Sequence, residues 1–215
     1  MIRCVLATRS AGKVRELVPM LARHGITGIG LVEAGVPVSD AEEAIEAFDT
    51  FEANALAKAR HFARLTGTAC IADDSGLVID ALDGAPGVRS RRYARDRGRH
   101  VADLAAEDLA NAEAVLEACW DSGWAPPWTA RFRCAVAFVD ASREFVASGS
   151  VEGHLLPDRS GVGGFGYDPW FLSVELGVTF AQASLEAKAR VSHRARAIAS
   201  LLGRLRESPA AGGTG

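Results

Sequence analysis

The sequence predicts an α/β fold organised around a mixed β-sheet, and three observations lead there. Short apolar, β-branched runs alternate with stretches of helical periodicity through the first half of the chain. Two long alternating segments then follow one another in the second half, which a purely parallel sheet would not contain. With 215 residues, 48% of them hydrophobic, the chain holds enough apolar material for one large domain or two closely joined lobes.

The elements follow in order. "IRCVLAT", residues 2–8, is a β-branched apolar run stopped by polar residues, which suits a buried strand. Val14, Leu17, Val18 and Leu21 recur at helical spacing directly after it, so the chain runs strand, tight polar loop, helix. Residues 50–67 place Phe51, Ala55, Leu56, Ala59, Phe62 and Ala63 on one helical stripe, with Gly67 as C-cap. "TACIA" and "LVIDAL" read as two strands on either side of Asp73 and Asp74, and a Gly/Pro loop, "DGAPGVRSRRYARD", comes next. A polar, alanine-rich helix is expected over residues 101–119. "TARFRCAVAFVD" alternates Phe132, Cys134, Val136 and Phe138 against Arg131 and Arg133, and pairs with "REFVASGSVEGHLL" as a long antiparallel couple. The last helix, residues 192–207, carries Ile198, Leu201, Leu202 and Leu205. The fold is expected to occupy residues 1–207, with 208–215, "SPAAGGTG", as a disordered tail.

Composition excludes several functions. The 24 basic and 27 acidic side chains leave a net charge of -3, so no broad basic field exists to hold duplex nucleic acid, and any anionic ligand needs a local cluster. Cys4, Cys70, Cys119 and Cys134 are widely spaced and contain no C-x-x-C pair, which suggests neither a zinc knuckle nor a disulfide framework. No uncharged apolar run reaches the roughly 18 residues of a membrane span, and the opening lacks a secretory core. A cytoplasmic protein with no membrane and no nucleic-acid partner is expected.

Four stretches carry chemistry. "ATRSAGK" supplies the hydroxyls of Thr8 and Ser10, then Arg9, Ala11, Gly12 and Lys13 at a helix N-terminus, which are phosphate-binding parts. A plain helix cap followed by a solvated lysine uses the same residues. It is not a Walker A loop, which needs an earlier glycine and a hydroxyl after the lysine, where this chain has Val14. Asp73 and Asp74, adjacent at an expected strand end, become tolerable if a divalent cation sits between them, with Glu46 completing an oxygen-rich site of the kind Mg²⁺ prefers. The simpler alternative has Asp73 capping a turn and Asp74 in water; the D-x-D-x-T arrangement of haloacid dehalogenases fails on spacing. "GVGGFGYDPWF", residues 161–171, sets Phe165 and Tyr167 in a glycine-rich loop, where their flat faces suit either a stacked base or core anchoring. "KARVSHRARA" brings four cations and a histidine to the start of the last helix, with Ser192 as its cap and His193 and Arg194 as outward donors.

Taken in order, these motifs resemble the inosine triphosphate pyrophosphatase family, house-cleaning enzymes that hydrolyse nucleotides of deaminated purines. "ATRSAGKVRE" is similar to the family's opening T-x-N-x-G-K-x-x-E, "TFEANALAKA" to its first long helix, and "ADDSGL" to its metal and base segment. "GAPGVRSRRYA" matches the loop beyond, "GGFGYDP" the base-stacking loop and "SHRARA" the base-reading helix, so the likeness spans residues 2 to about 200. The resemblance implies an elongated two-lobed fold with the active-site cleft between the lobes, a homodimer, Mg²⁺ dependence, and cleavage of ITP, dITP and XTP to the monophosphate and pyrophosphate. Carried over by position, residues 8–13 grip the triphosphate, while Glu46, Asp74 and, beside it, Asp73 hold the metal. Asp74 also acts as base on the attacking water. Ser75, Phe165, Gly166, Tyr167, Asp168 and Lys188 line the nucleotide, and His193 and Arg194 read the base. Three positions depart from the family pattern: Ser10 replaces asparagine, Gln182 an acid, and Arg95 a glycine. A nucleotide-binding module without turnover, supported by Ser10 alone, and a pyrophosphatase for modified pyrimidines, opposed by "SHR", are the competing readings.

Overall fold

The computed structural model describes residues 2–39, 41–101 and 103–207. The expected tail at 208–215 lies outside them. The chain begins with β1 (Ile2–Leu6), α1 (Ala11–Ala22) and β2 (Ile26–Gly30), followed by the short α2 (Ala41–Ile45) and the long α3 (Phe51–Thr66). Then come β3 (Cys70–Ile79), α4 (Leu104–Asp121), β4 (Trp128–Val139), β5 (Glu144–Leu155), β6 (Phe171–Ser173), α5 (Leu185–Val191) and α6 (His193–Glu207). The six strands form one sheet in the order β2-β1-β3-β4-β5-β6. β1 runs parallel to both β2 and β3, whereas β5 and β6 are antiparallel. Only four residues connect β4 to β5, with Asp140 N–H donating to Arg143 O at 2.9 Å, and so short a connection reverses the chain. The sheet is therefore mixed, as the sequence predicts.

The chain divides into two compact units. One comprises Met1–Asp74, Cys134–Gly149 and His193–Gly215; the other comprises Ser75–Arg133 and Ser150–Ser192. In the first, Val5, Leu6, Leu17, Leu21, Phe51, Phe62, Ile71, Val136, Phe138, Ile198 and Leu201 are buried, so α1, α3 and α6 turn their apolar stripes inward. Thr50 and Gly67 cap α3, Thr50 Oγ1 accepting from Ala53 N–H and Gly67 adopting the left-handed conformation that glycine favours. The core of the second unit gathers Leu77, Tyr93, Trp128, Phe132, Tyr167, Trp170, Phe171 and Phe180. All four cysteines are free and buried, and burial pushes the Cys4, Cys70 and Cys134 thiols up to about 12, as expected of small packing residues. None of the described helices is long and apolar enough to cross a membrane.

Three elements correct the sequence reading. β3 is one strand of ten residues that runs straight through Asp73 and Asp74, not two strands meeting there. The sequence reading did not include the short strand "ITGIG", whose two glycines weaken its strand signal; a Cβ at Gly28 would stand 3.0 Å from the Leu6 side chain. Lys188 and Arg190 belong to the separate α5, and Ser192, in extended conformation, ends it before α6 begins.

Candidate active site

Residues 8–13, the candidate phosphate turn, lie at the junction of β1 and α1. Ser10 is the N-cap of α1 and its Oγ accepts from Lys13 N–H at 3.3 Å, while Thr8 Oγ1 accepts from Ser10 N–H at 3.1 Å. The first helical residues, Ala11 and Gly12, have N–H groups with no intrahelical acceptor, which is what makes such a turn receptive to an anion. Arg9 has another task. Its guanidinium makes two bonds to Glu42, at 2.6 and 3.1 Å, and donates to the carbonyls of Val36 (3.0 Å) and Pro37 (2.7 Å), so it anchors the segment after β2.

The adjacent aspartates are relieved in a way the sequence reading did not foresee. Consecutive residues of a strand point to opposite faces, so continuity of β3 sends the two carboxylates to different partners. Asp73 Oδ2 accepts from Arg194 Nε at 3.1 Å and lies 3.2 Å from Lys13 Nζ, and Arg194 Nη1 also bonds Glu16 Oε2. Asp74 Oδ2 accepts from Asn54 Nδ2 at 3.1 Å and its Oδ1 lies 3.6 Å from Lys58 Nζ. Lys58 Nζ in turn donates to Glu46 Oε1 and to the Asp73 carbonyl, both at 2.6 Å. Three cations of the chain itself, Lys13, Lys58 and Arg194, thus lie against the two aspartates.

The electrostatics separate the pair. Burial alone would raise the Asp73 carboxyl, but Lys13, Arg194 and Lys58 outweigh it and hold the group well below the usual carboxylate range. For Asp74 burial wins: desolvation, with the charge of Glu46, raises it despite Lys58, Lys13 and the Asn54 bond. Burial works to lower Lys58, yet Asp74, Glu46 and Asp73 together keep it raised and charged. An elevated, hydrogen-bonded carboxylate is what a general base requires, whereas Asp73 is a fixed anion at the centre of an ion-pair network.

His193 and Arg194 were expected to face outward. Both are buried instead, Arg194 at 1% exposure, because Asp73 and Glu16 draw the guanidinium inward. The start of α6 lies so close to β5 that a Cβ on Gly149 would stand 2.4 Å from His193 O.

The remaining candidates belong to the other unit. Asp168, at 3% exposure, accepts on Oδ2 from Phe165 N–H at 2.9 Å and from Lys188 Nζ at 2.5 Å, and that ammonium lies 5.0 Å from the Phe165 ring centre. Gly164 is fixed by this arrangement, since its φ is +74° and a Cβ would lie 2.1 Å from Asp168 Oδ2. Tyr167 does not offer a free face: its ring joins the core and its hydroxyl donates to Ser90 O at 2.7 Å. Phe165 is only half-buried, and Ser75 is half-buried on β3. Among the described residues no group of three or more His, Cys, Asp or Glu is placed to hold a metal ion.

Sequence reasoning missed Asn54, Lys58 and Glu16. Asn54 is 1% exposed and fully used: besides Asp74 it bonds both Phe48 N–H and Phe48 O at 3.0 Å, pinning the segment between α2 and α3. The signal was present, because positions 54 and 58 fall on the buried stripe of α3 with Phe51, Ala55, Ala59 and Phe62, where unpaired polar groups are costly.

Comparison with known proteins identifies the family. Residues 4–204 match the model of the Ham1 family. The chain belongs to the Ham1 family. Its curated relatives include a Geobacter sulfurreducens protein, 42% identical over 202 residues covering 94% of this chain and 95% of that protein, named dITP/XTP pyrophosphatase. A Ralstonia nicotianae protein with the same name is 43% identical and covers 96% and 98% of the two chains. Among solved structures, a HAM1 protein from Coxiella burnetii superposes with a TM-score of 0.79 at 34% identity, covering 97% of this chain and 100% of that one. The Ham1 protein of Staphylococcus aureus gives a TM-score of 0.74 at 32% identity over 95% of this chain and 98% of its own.

The three departures are accommodated in this Ham1 chain. Ser10 caps α1. Gln182 Oε1 accepts from Thr179 N–H at 2.9 Å, and its own N–H returns to Thr179 Oγ1 at 3.2 Å. Arg95 begins the 3₁₀ turn Arg95–Arg97 without positive φ, so no glycine is needed there.

Proposed function

We propose that this chain hydrolyses nucleoside triphosphates of deaminated purines, dITP, ITP and XTP, to the monophosphate and pyrophosphate; its curated relatives carry the name dITP/XTP pyrophosphatase. The observation that carries the proposal is Asp74: a carboxylate buried beside Asn54 and Lys58, raised by desolvation, in the unit that also holds the 8–13 turn. Asp74 takes a proton from water as the water oxygen bonds to the α-phosphorus. The bond from that phosphorus to its bridging oxygen breaks and pyrophosphate leaves. Lys13 and Lys58 balance the charge, and the N–H groups opening α1 take phosphate oxygens.

A divalent cation fits this donor set. Glu46 and Asp74 are hard oxygen ligands that already share one cation, the Lys58 ammonium, and Mg²⁺ characteristically uses one or two carboxylates and completes its shell with phosphate and water. We infer that these two residues would hold it; Asp73, committed to Lys13 and Arg194, is better read as the anchor of the network. When bound, Mg²⁺ would withdraw charge from the phosphate oxygens and the leaving group. Phe165, Lys188 and Asp168 are the groups we assign to the nucleoside. A homodimer in the cytoplasm completes the proposal, and sedimentation would test the assembly.

The test is hydrolysis of dITP with Mg²⁺ in H₂¹⁸O. Label in the monophosphate, with unlabelled pyrophosphate, is expected; stepwise orthophosphate release, or binding without turnover, would refute the assignment.

A further inference from the structure

The loop 165–168 is positioned by residues outside its own motif. Its backbone turns through left-handed conformations at Gly164 and Gly166, with φ of +74° and +59°, and glycine leaves such a segment many alternative paths. Three consecutive residues are nevertheless tied. Phe165 N–H donates to Asp168 Oδ2, Tyr167 Oη to Ser90 O, and between them Gly166 N–H donates to Asp108 Oδ2 at 2.9 Å. Asp108 stands half-buried in the second turn of α4.

One turn further along the same helix, Asn111 is 2% exposed and holds a second loop, accepting from Ala94 N–H and donating to Arg91 O, each at 2.8 Å. That segment includes Ser90, whose Oγ accepts from Leu77 N–H of β3 at 2.9 Å. α4 therefore uses two polar side chains at i, i+3 spacing to fix both ends of the tie between Ser90 and Tyr167.

We propose that Asp108 is a positioning residue for recognition of the base, holding loop 165–168 so that the Phe165 ring keeps one orientation toward the nucleotide. This rests on the reading of the chain as a hydrolase of purine nucleoside triphosphates. A carboxylate makes a charge-assisted bond to a backbone N–H, which suits an anchor for a glycine-rich turn. Ionisation is not essential to the role, because a side-chain carbonyl in the same place would also accept.

The test compares the parent with Asp108→Ala and Asp108→Asn. With dITP, Asp108→Ala should raise KM about tenfold, the effect of losing one hydrogen bond, while kcat stays within about twofold. Asp108→Asn should return KM to near the parent value. A merely structural role would lower the melting temperature and the active fraction but leave KM alone. Hydrogen exchange at the Gly166 amide supplies a readout independent of turnover: it should speed up about tenfold in Asp108→Ala and remain slow in Asp108→Asn. Unchanged KM, equal impairment of both variants, or unaltered Gly166 exchange would each overturn the inference. If the parent releases no pyrophosphate from dITP, the functional reading fails by itself, and the amide exchange still decides whether Asp108 holds the loop.

Discussion

Replacing Arg194 by methionine keeps the length of the side chain but removes the cation between two buried carboxylates, Asp73 and Glu16. Removing one partner of a buried ion pair typically costs about 3–5 kcal/mol, because the other charge is left in a poorly solvating interior. Asp73 would keep Lys13 at 3.2 Å, which places the expected loss near the lower end, about 3 kcal/mol. For a chain of this size that corresponds to a fall in melting temperature of roughly 6–12 °C. The pH dependence gives a second check. Asp73 has a depressed folded-state pKa, so its stabilising contribution is present above the unfolded carboxylate value of about 4 and is lost as pH falls through the lower folded value. Parent and variant should therefore differ most at neutral pH and converge in acid. Urea titration at a series of pH values, without added metal, measures both effects. A loss under about 1 kcal/mol at pH 7, or a difference that grows in acid, would refute the view that the aspartate is held by the chain's own cations.

Other perturbations follow from the same geometry. Lys58→Met removes the nearest cation from Asp74, raising its carboxyl further, so the acid limb of the kcat/KM profile should move to higher pH; an unmoved limb would disconnect Lys58 from the base. Gly149→Ala would press a Cβ against the backbone of His193 and Ala197, 2.4 and 2.5 Å away, and should cost about 1–3 kcal/mol by thermal unfolding; parent-like stability would mean that the start of α6 moves freely. Chelation by EDTA should abolish dITP hydrolysis yet leave the melting temperature of the nucleotide-free protein unchanged. A large drop on chelation would show a structural metal in place of one recruited with substrate.

Much of the fold was legible because its long elements carry strong periodicity. β1, α3, β4, β5 and α6 each show a stripe or an alternation that survives to the structure, and the turn before α1 has the hydroxyls that its local geometry uses. The losses have physical causes. The Asp73–Asp74 pair looked like a strand end because nothing local reveals that residues 13, 58 and 194, far apart in sequence, converge to neutralise it. A ladder can pass through two acids once their charges are met. Arg194 was read as an outward donor from helix position alone, but a guanidinium with two carboxylate partners is more stable inside. Tyr167 shows the opposite limit, since sequence cannot tell a stacking face from a core ring until the hydroxyl's acceptor, Ser90 O, is known.

Asp74 decides the account, and one variant addresses it on two axes. Burial makes the ionised carboxylate costly in the folded protein, a cost present at neutral pH and relieved as pH falls through its raised folded value, so Asp74→Asn should melt above the parent at pH 7 while turnover of dITP disappears. A variant that still hydrolyses dITP at a rate near the parent's, or that melts lower, would contradict a desolvated Asp74 serving as the base.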